Sequence, residues 1–424
     1  MRKFWLLALA ATAVQAETHV LTLRQAVLKA LEQNPEIAMA KLDTLRATQA
    51  IRLAKEPFYP RAGAGSGLAW SSGFPLSIDG SAPAAVQVKI SESLFNRPQT
   101  YAVLQAREEA RGAELTVQDK RGEVAFRVAT LFIDADRAAR QTEILRAQST
   151  SLEKVLATVR ARAEEGRELP VAVQEANVDL LRVKQRELVL EADAEYAQRN
   201  VALVLGYPAG DAVRPAEEER AQPAGAQPEN ESLAAAFASS AELKRLASAI
   251  EAKNLNIKAE RARRLPQVDL VAQYALLTRY SHYDEFFSTF RRHNAQLGAS
   301  FQIPLFMSGG IEAAVGQVET EQRKLRAEME AARNRIALAV HNAHQEVTKN
   351  EGATGLAQAE LELARTRVSV VLAQMAEGRA TLRQVEELRV NENEKWMAFL
   401  DARFNAERAR LNLLHQTGGL TSAF

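Results

Sequence analysis

His341 and His344 stand one helical turn apart and could share a metal ion. Two nitrogens do not complete a site, and the chain has no cysteine to add a third ligand, so a pair on a solvated helix face is the plainer reading. Residues 279–293, RYSHYDEFFSTFRRH, gather aromatics, two histidines and two acids. Aromatic residues at a membrane–water boundary account for Tyr280, Tyr283, Phe286 and Phe287 without any ligand. Residues 63–67, GAGSG, resemble a phosphate loop only in composition, because no helix follows them. No nucleophile stands beside a base, and no complete metal set is visible. Neither an enzyme nor a cofactor or metal centre is expected.

The elements that would have to position such residues are unusual. The chain has 424 residues, of which 47% are hydrophobic but only 6% aromatic. Much of the apolar content is alanine, which suits thin helical layers and coiled coils better than one large core. With 54 basic and 53 acidic residues, there is no electrostatic reason to expect a nucleic-acid partner. Arg2 and Lys3, the apolar run Phe4 to Val14, and Val14-Gln15-Ala16 before Glu17 read as a secretory signal peptide over 1–16. No stretch is apolar enough for a transmembrane helix, so an exported chain of this kind enters a membrane as strands.

Four strands are expected. Residues 294–303 alternate strictly, with Ala295, Leu297, Ala299, Phe301 and Ile303 on one side and Asn294, Gln296, Gly298, Ser300 and Gln302 on the other. Val268, Leu270, Ala272, Tyr274 and Leu276 alternate over 267–277, with Val271 the exception, and Val86, Val88 and Ile90 over 85–94. A weaker strand covers 61–70. Each is about the length a tilted strand needs to cross a bilayer. Between them run proline-free helical stretches. One covers about 99–163, roughly 100 Å at 1.5 Å per residue, and another about 170–205. A helical pattern over 21–56, with Thr22 as N-cap and a break at Asn34-Pro35, precedes the strands.

The plan then repeats. Asn34-Pro35-Glu36-Ile37 corresponds to Ser240-Ala241-Glu242-Leu243, Pro60 to Pro266, and Leu94-Phe95 to Leu305-Phe306. Glu165-Gly166-Arg167 corresponds to Glu377-Gly378-Arg379, and Leu205-Gly206 to Thr417-Gly418. The offset drifts only from 206 to 212 residues. An internal repeat at this scale is stronger than any single motif. The chain therefore divides into 1–16, a first repeat 17–207, a linker 208–230 and a second repeat 231–424, with 17–424 folding as one unit.

Leu21-Thr22-Leu23, Ala26, Ala30-Leu31 and Asn34-Pro35-Glu36, then Pro304-Leu305-Phe306, Gly309-Gly310 and the paired Gly166 and Gly378 loops, resemble the TolC-like outer-membrane efflux proteins over essentially the whole mature chain. The resemblance implies a mixed, mostly α fold with two repeats of long coiled-coil hairpins. It further implies a homotrimer whose four strands per chain pool into a twelve-stranded β-barrel in the outer membrane, above a periplasmic α-helical barrel. Its expected partners are outer-membrane lipid, a periplasmic adaptor (membrane fusion protein) and an inner-membrane pump.

The resemblance also nominates sites. The hairpin tips, Glu165, Gly166, Arg167, Glu168 and Leu169 with Glu377, Gly378, Arg379, Ala380 and Thr381, would contact the adaptor. Solvated turns would need the same glycines. Gln384 and Glu387, with Glu175 as the first-half counterpart of Glu387, would line a periplasmic constriction. There three copies of Glu387 would attract cations and repel one another; a surface glutamate on a coiled coil gives the same charge pattern. The expected function is an exit duct of a tripartite efflux or secretion system. The alternatives are a non-channel periplasmic coiled-coil adaptor or scaffold, then a metal-binding periplasmic protein or hydrolase.

Overall fold

In the computed structural model, residues 17–67, 84–217, 228–278, 291–305 and 309–424 are described. The first half runs β1 (Thr18–Leu21), α1 (Leu23–Gln33), α2 (Pro35–Lys55), β2 (Arg61–Gly67), β3 (Ala84–Phe95), α3 (Arg97–Glu164), α4 (Pro170–Val204) and β4 (Ala212–Pro215). The second runs α5 (Glu229–Ser239), α6 (Ala241–Ala262), β5 (Gln267–Leu277), β6 (His293–Gln302), α7 (Gly310–Ala376), α8 (Leu382–Gln416) and α9 (Leu420–Ala423). The duplication is close in length. α3 and α7 have 68 and 67 residues, α4 and α8 have 35 each, and α1 and α5 have 11 each.

Two compact units cut across the repeat. The first takes the described residues within 1–39, 118–240 and 333–424, and the second those within 40–117 and 241–332. Each half of the sequence thus contributes to both.

In the first unit, the segment before Pro35 explains itself locally. Thr22 Oγ1 accepts from Gln25 N while Gln25 Oε1 accepts from Thr22 N, a reciprocal cap that starts α1. Leu23, Ala26, Val27, Ala30 and Leu31 then fall on one buried face. Asn34 is buried; its Nδ2 donates to Val204 O at 3.0 Å and its Oδ1 accepts from Glu36 N at 2.9 Å, so one side chain ends α1's neighbour α4 and starts α2. The apolar face of α1 packs with Val124, Val128, Phe132 and Ile133 of α3, Val201 and Leu205, and Leu400, Phe404 and Leu411 of α8. Alanines at 125, 129, 135 and 202 are fully buried among them, which lets the helices approach closely. Glu36 is ion-paired with Arg127, whose hydrogen bond holds the carboxyl below its usual range.

The second unit holds a four-stranded antiparallel sheet in the order β2-β3-β5-β6. Its register sets the two faces, because directly paired residues point the same way. Val88 pairs Tyr274, which pairs Ala295; Ile90 pairs Ala272, which pairs Leu297; Val268 pairs Phe301. The opposite face carries Gln87, Lys89, Ser91, Gln273, Asp269, Gln296, Ser300 and Gln302. Leu297 and Phe301 are 78% and 71% exposed. β3, β5 and β6 are 12, 11 and 10 residues long. Below the sheet, Ser248 Oγ donates to Glu108 O at 2.7 Å and Lys253 pairs Glu321 at 2.6 Å, joining α6 to α3 and to α7.

Where the structure departs from the expected elements, packing accounts for the difference. Leu21 lies in β1 rather than in the first helix, and β4 and the start of α5 lie inside the stretch expected as linker. The reason is that β1 and β4 pair in parallel, Thr18 with Ala212 through Leu21 with Pro215, over a fully buried Val213. Residues 63–67 lie within β2, in line with the strand expected over 61–70. The expected leader over 1–16, strand residues 68–70, part of the linker (218–227), most of the aromatic loop (279–290) and Phe306 lie outside the described residues.

Candidate functional site: the hairpin tips

Both long hairpins turn through the same backbone. At the first tip Gly166 has φ 72°, with Gly166 N donating to Ala163 O at 3.0 Å and Arg167 N to Arg162 O at 2.8 Å. At the second, Gly378 has φ 72°, with Gly378 N donating to Met375 O at 3.0 Å and Arg379 N to Gln374 O at 2.8 Å. This is the Schellman arrangement, in which a left-handed residue lets two late amides satisfy helix carbonyls. A positive φ makes glycine the residue of choice. Arg167 pairs Glu165 at 3.4 Å, and Arg379 pairs Glu377, each across its own turn. All four side chains are largely exposed, so these pairs add little to stability. Glu168 is exposed, and Leu169 presents an apolar side chain that is 70% exposed. Ala380 is half-buried and Thr381 exposed.

Beyond the turns the helices restart differently. Pro170 opens α4 with no side-chain cap from Leu169. Thr381 caps α8: its Oγ1 accepts from Gln384 N at 3.3 Å, and Gln384 Oε1 accepts from Thr381 N at 2.9 Å. Gln384, expected at a constriction, thus spends its side-chain carbonyl on a helix cap.

The two expected glutamates are brought together by a residue that was not expected. Arg383 Nη1 donates to Glu175 Oε2 at 2.6 Å, and Arg383 Nε to Glu387 Oε1 at 3.1 Å. The Glu387 hydrogen bond, then the charge of Glu175, raises the guanidinium pKa above its ordinary value. The first-half counterpart of Arg383 is Val171, so comparison of the halves passes over it. Its signal is the four-residue spacing to Glu387 on one helix face. Glu386, also not singled out, is pushed up by burial and partly offset by Arg389. It faces a cavity of about 200 Å³ with Gln148 and Ser151.

The histidine pair does not assemble. His341 Nδ1 sits 2.9 Å from Glu229 Oε1 and its Nε2 2.8 Å from Gln345 Nε2. Donation from Nδ1 and acceptance at Nε2 satisfy both, which leaves no lone pair for a metal. Among the described residues no three His, Asp or Glu are grouped to hold an ion. Of the aromatic loop, His293 is described, with Nδ1 2.7 Å from Tyr274 OH.

The outer membrane efflux protein family profile matches residues 26–207 and 233–419, most of the chain and both copies of the repeat. The chain belongs to the outer membrane efflux protein family. Solved structures share its fold. The outer membrane protein VceC of Vibrio cholerae matches with a TM-score of 0.73 at 16% identity, over 94% of this chain and 96% of that one. A membrane protein of Pseudomonas aeruginosa gives 0.76 at 16%, over 94% and 90%. The open MtrE outer membrane channel of Neisseria gonorrhoeae gives 0.72 at 16%, over 94% and 89%. No curated protein matches the chain. Members of this family are passive, trimeric outer-membrane channels that work with adaptor and pump partners. The duct reading therefore holds, with an outer-membrane location and a large periplasmic helical portion, and nothing favours the adaptor alternative.

Proposed function

We propose that three copies of this chain pool their sheets into one twelve-stranded barrel, and that the two hairpin tips of each copy dock on a periplasmic adaptor linked to an inner-membrane pump. The observation that carries this reading is the two-faced sheet with open edges. Among the described residues β2 and β6 each pair on one side only, and an open edge cannot lie in hydrocarbon. Four strands are too few to close, whereas twelve fit the known range. The apolar face would meet lipid, and Gln87, Lys89, Gln273, Gln296 and Gln302 would line the lumen.

At the tips, Gly166 and Gly378 hold the turns while Leu169 and Arg167, with Arg379, offer an apolar and a cationic contact. Glu175, Arg383 and Glu387 form the charged layer just inside. With two carboxylates to one guanidinium, that layer would favour cations in a pore made from three copies. Passage is passive, and the pump supplies energy. The test is the oligomer taken from outer membranes in detergent, followed by conductance in a planar bilayer. A trimer that conducts supports the reading, and a soluble monomer or dimer sinks the barrel. Shortening either tip should abolish export while leaving the trimer folded; normal export from both shortened chains refutes the docking assignment.

A further inference from the structure

Asp211, in the turn after α4, is buried at 6% exposure. Its Oδ1 accepts from the backbone N–H of Glu17 at 3.1 Å, and its Oδ2 lies 3.2 Å from His19 Nε2. Glu17 is held from its other side as well, because its carbonyl accepts from Ala212 N at 3.0 Å. The nearby cation is already engaged: Lys29 Nζ donates to Tyr207 OH at 2.6 Å and lies 3.9 Å over the same ring, against which His19 stacks at 4.0 Å. Among the described residues, no lysine or arginine pairs with Asp211. Buried carboxylates are ordinarily matched by a cation. Here the carboxyl is held below its usual range by the Glu17 N–H first and His19 second.

We propose that Asp211 is the receptor for the α-ammonium that leader removal creates at Glu17. The inference rests on reading residues 1–16 as a leader. Two independent observations meet at one bond: the small-residue pattern Val14-Gln15-Ala16 sets a cut before Glu17, and the fold places a buried acid against the nitrogen of residue 17. The co-reactants are water and an endopeptidase that cuts after small residues. Water's oxygen bonds to the Ala16 carbonyl carbon, the carbon–nitrogen bond breaks, and the nitrogen takes a hydrogen to become the Glu17 amine. At neutral pH the new Ala16 acid releases its proton and the amine binds one, since α-amino groups titrate at about 7.7–8.0. A neutral amide hydrogen bond is thereby replaced by an ion pair at the same place. The ion pair would then anchor the first residue of the mature chain beside the β1–β4 pair, which runs from Thr18 with Ala212 to Leu21 with Pro215.

Four full-length forms purified from membranes test this: the native chain, Asp211→Asn, a chain with one alanine inserted between Ala16 and Glu17, and the combination. The insertion moves the ammonium by about 3.3–3.6 Å. Intact mass reads the first residue, and hydrogen exchange reads the β1 amides. The native chain is expected to begin at Glu17. Asp211→Asn is expected to lower β1 protection about tenfold in the native background and no more than about threefold in the extended one. The extended chain with Asp211 intact should itself lose about tenfold, which keeps the test alive if Asp211→Asn does not accumulate. A retained leader or another first residue overturns the leader reading. Equal losses in both backgrounds, or unchanged protection on extension, overturn the ion pair alone.

Discussion

Gly166 and Gly378 end their helices with the same φ of 72° and the same two backbone hydrogen bonds, yet the helices that follow begin on unlike chemistry. α4 starts on Pro170, whose ring presets φ and needs no N–H partner there. α8 starts on a Thr381–Gln384 box that satisfies two amides by side chains. A duplicated backbone therefore constrains the turn residue itself, while the neighbouring positions are free to diverge. At the far ends of the same helices the pattern recurs. Gly206 and Gly418 have φ 86° and 74°, and they sit against Gln33 and Ser239, the last residues of α1 and α5.

The largest effect should come where the two halves differ most in space. A methyl group at Gly206 would meet Gln33 O at ordinary contact distance, so Gly206→Ala costs only the left-handed strain, about 1–2 kcal/mol. At Gly418 it would overlap Ser239 Cβ and Oγ, and Ser239 Oγ is already donating to Thr417 O at 3.0 Å. Gly418→Ala is expected to cost about 3 kcal/mol or more. Thermal unfolding of the purified oligomer reads the difference, and equal losses at the two sites would break the contrast.

At the tips the same substitution should act alike. Nothing lies within 4 Å of a methyl at Gly166 or Gly378. Each alanine variant should lose about 1–2 kcal/mol of local stability, seen as faster hydrogen exchange confined to its own turn. Export should fall in both while the trimer persists. On the proposed docking, a loss at one tip only would mean that the two tips contribute unequally.

Much of this architecture is legible in the sequence because its signals are local and repeated. The strand over 267–277, the helix starting at Pro170 and both tip glycines follow from alternation, from proline at a first helical position and from glycine after a long apolar period. Pairing between distant segments is harder to read. β1 and β4 are four residues each, too short to show alternation, and their pairing depends on Val213 meeting a core built from α1, α3 and α8. Arg383 escaped for a related reason: its importance lies in joining Glu175 to Glu387, and that juxtaposition across two helices has no linear spacing. The histidine pair shows the same limit: helical spacing alone leaves open whether His341 and His344 share an ion, and the Glu229 and Gln345 contacts of His341 belong to tertiary structure.

A smaller effect separates the helix starts. Thr381→Ala removes the cap oxygen and should cost about 1 kcal/mol, read as increased exchange over the first turn of α8. Leu169→Ser places a cap where none exists and should slow exchange at the start of α4 by a comparable or lesser amount. If Thr381→Ala leaves the turn unchanged, the two starts are equivalent after all and the contrast is only one of residue type.

The smallest expected effect concerns a titrating group that one half has and the other lacks. His415 of α8 is half-buried, stacked on Phe126 at 4.7 Å between ring centroids and close to Gly122; its counterpart in α4 is the exposed Leu203. Burial lowers the imidazole pKa, with Glu123 opposing in part. Because the folded value lies below the unfolded one of about 6.5, the unfolded chain binds the proton first. Stability is therefore full above about pH 6.5 and falls as the pH drops toward the folded value. His415→Phe keeps the stack and removes the proton, so its melting temperature should fall less between pH 7.5 and 5.5 than that of the native chain. Parallel pH profiles for the two proteins would show that the ring carries no titration of consequence, and that the second half differs from the first only in shape at this position.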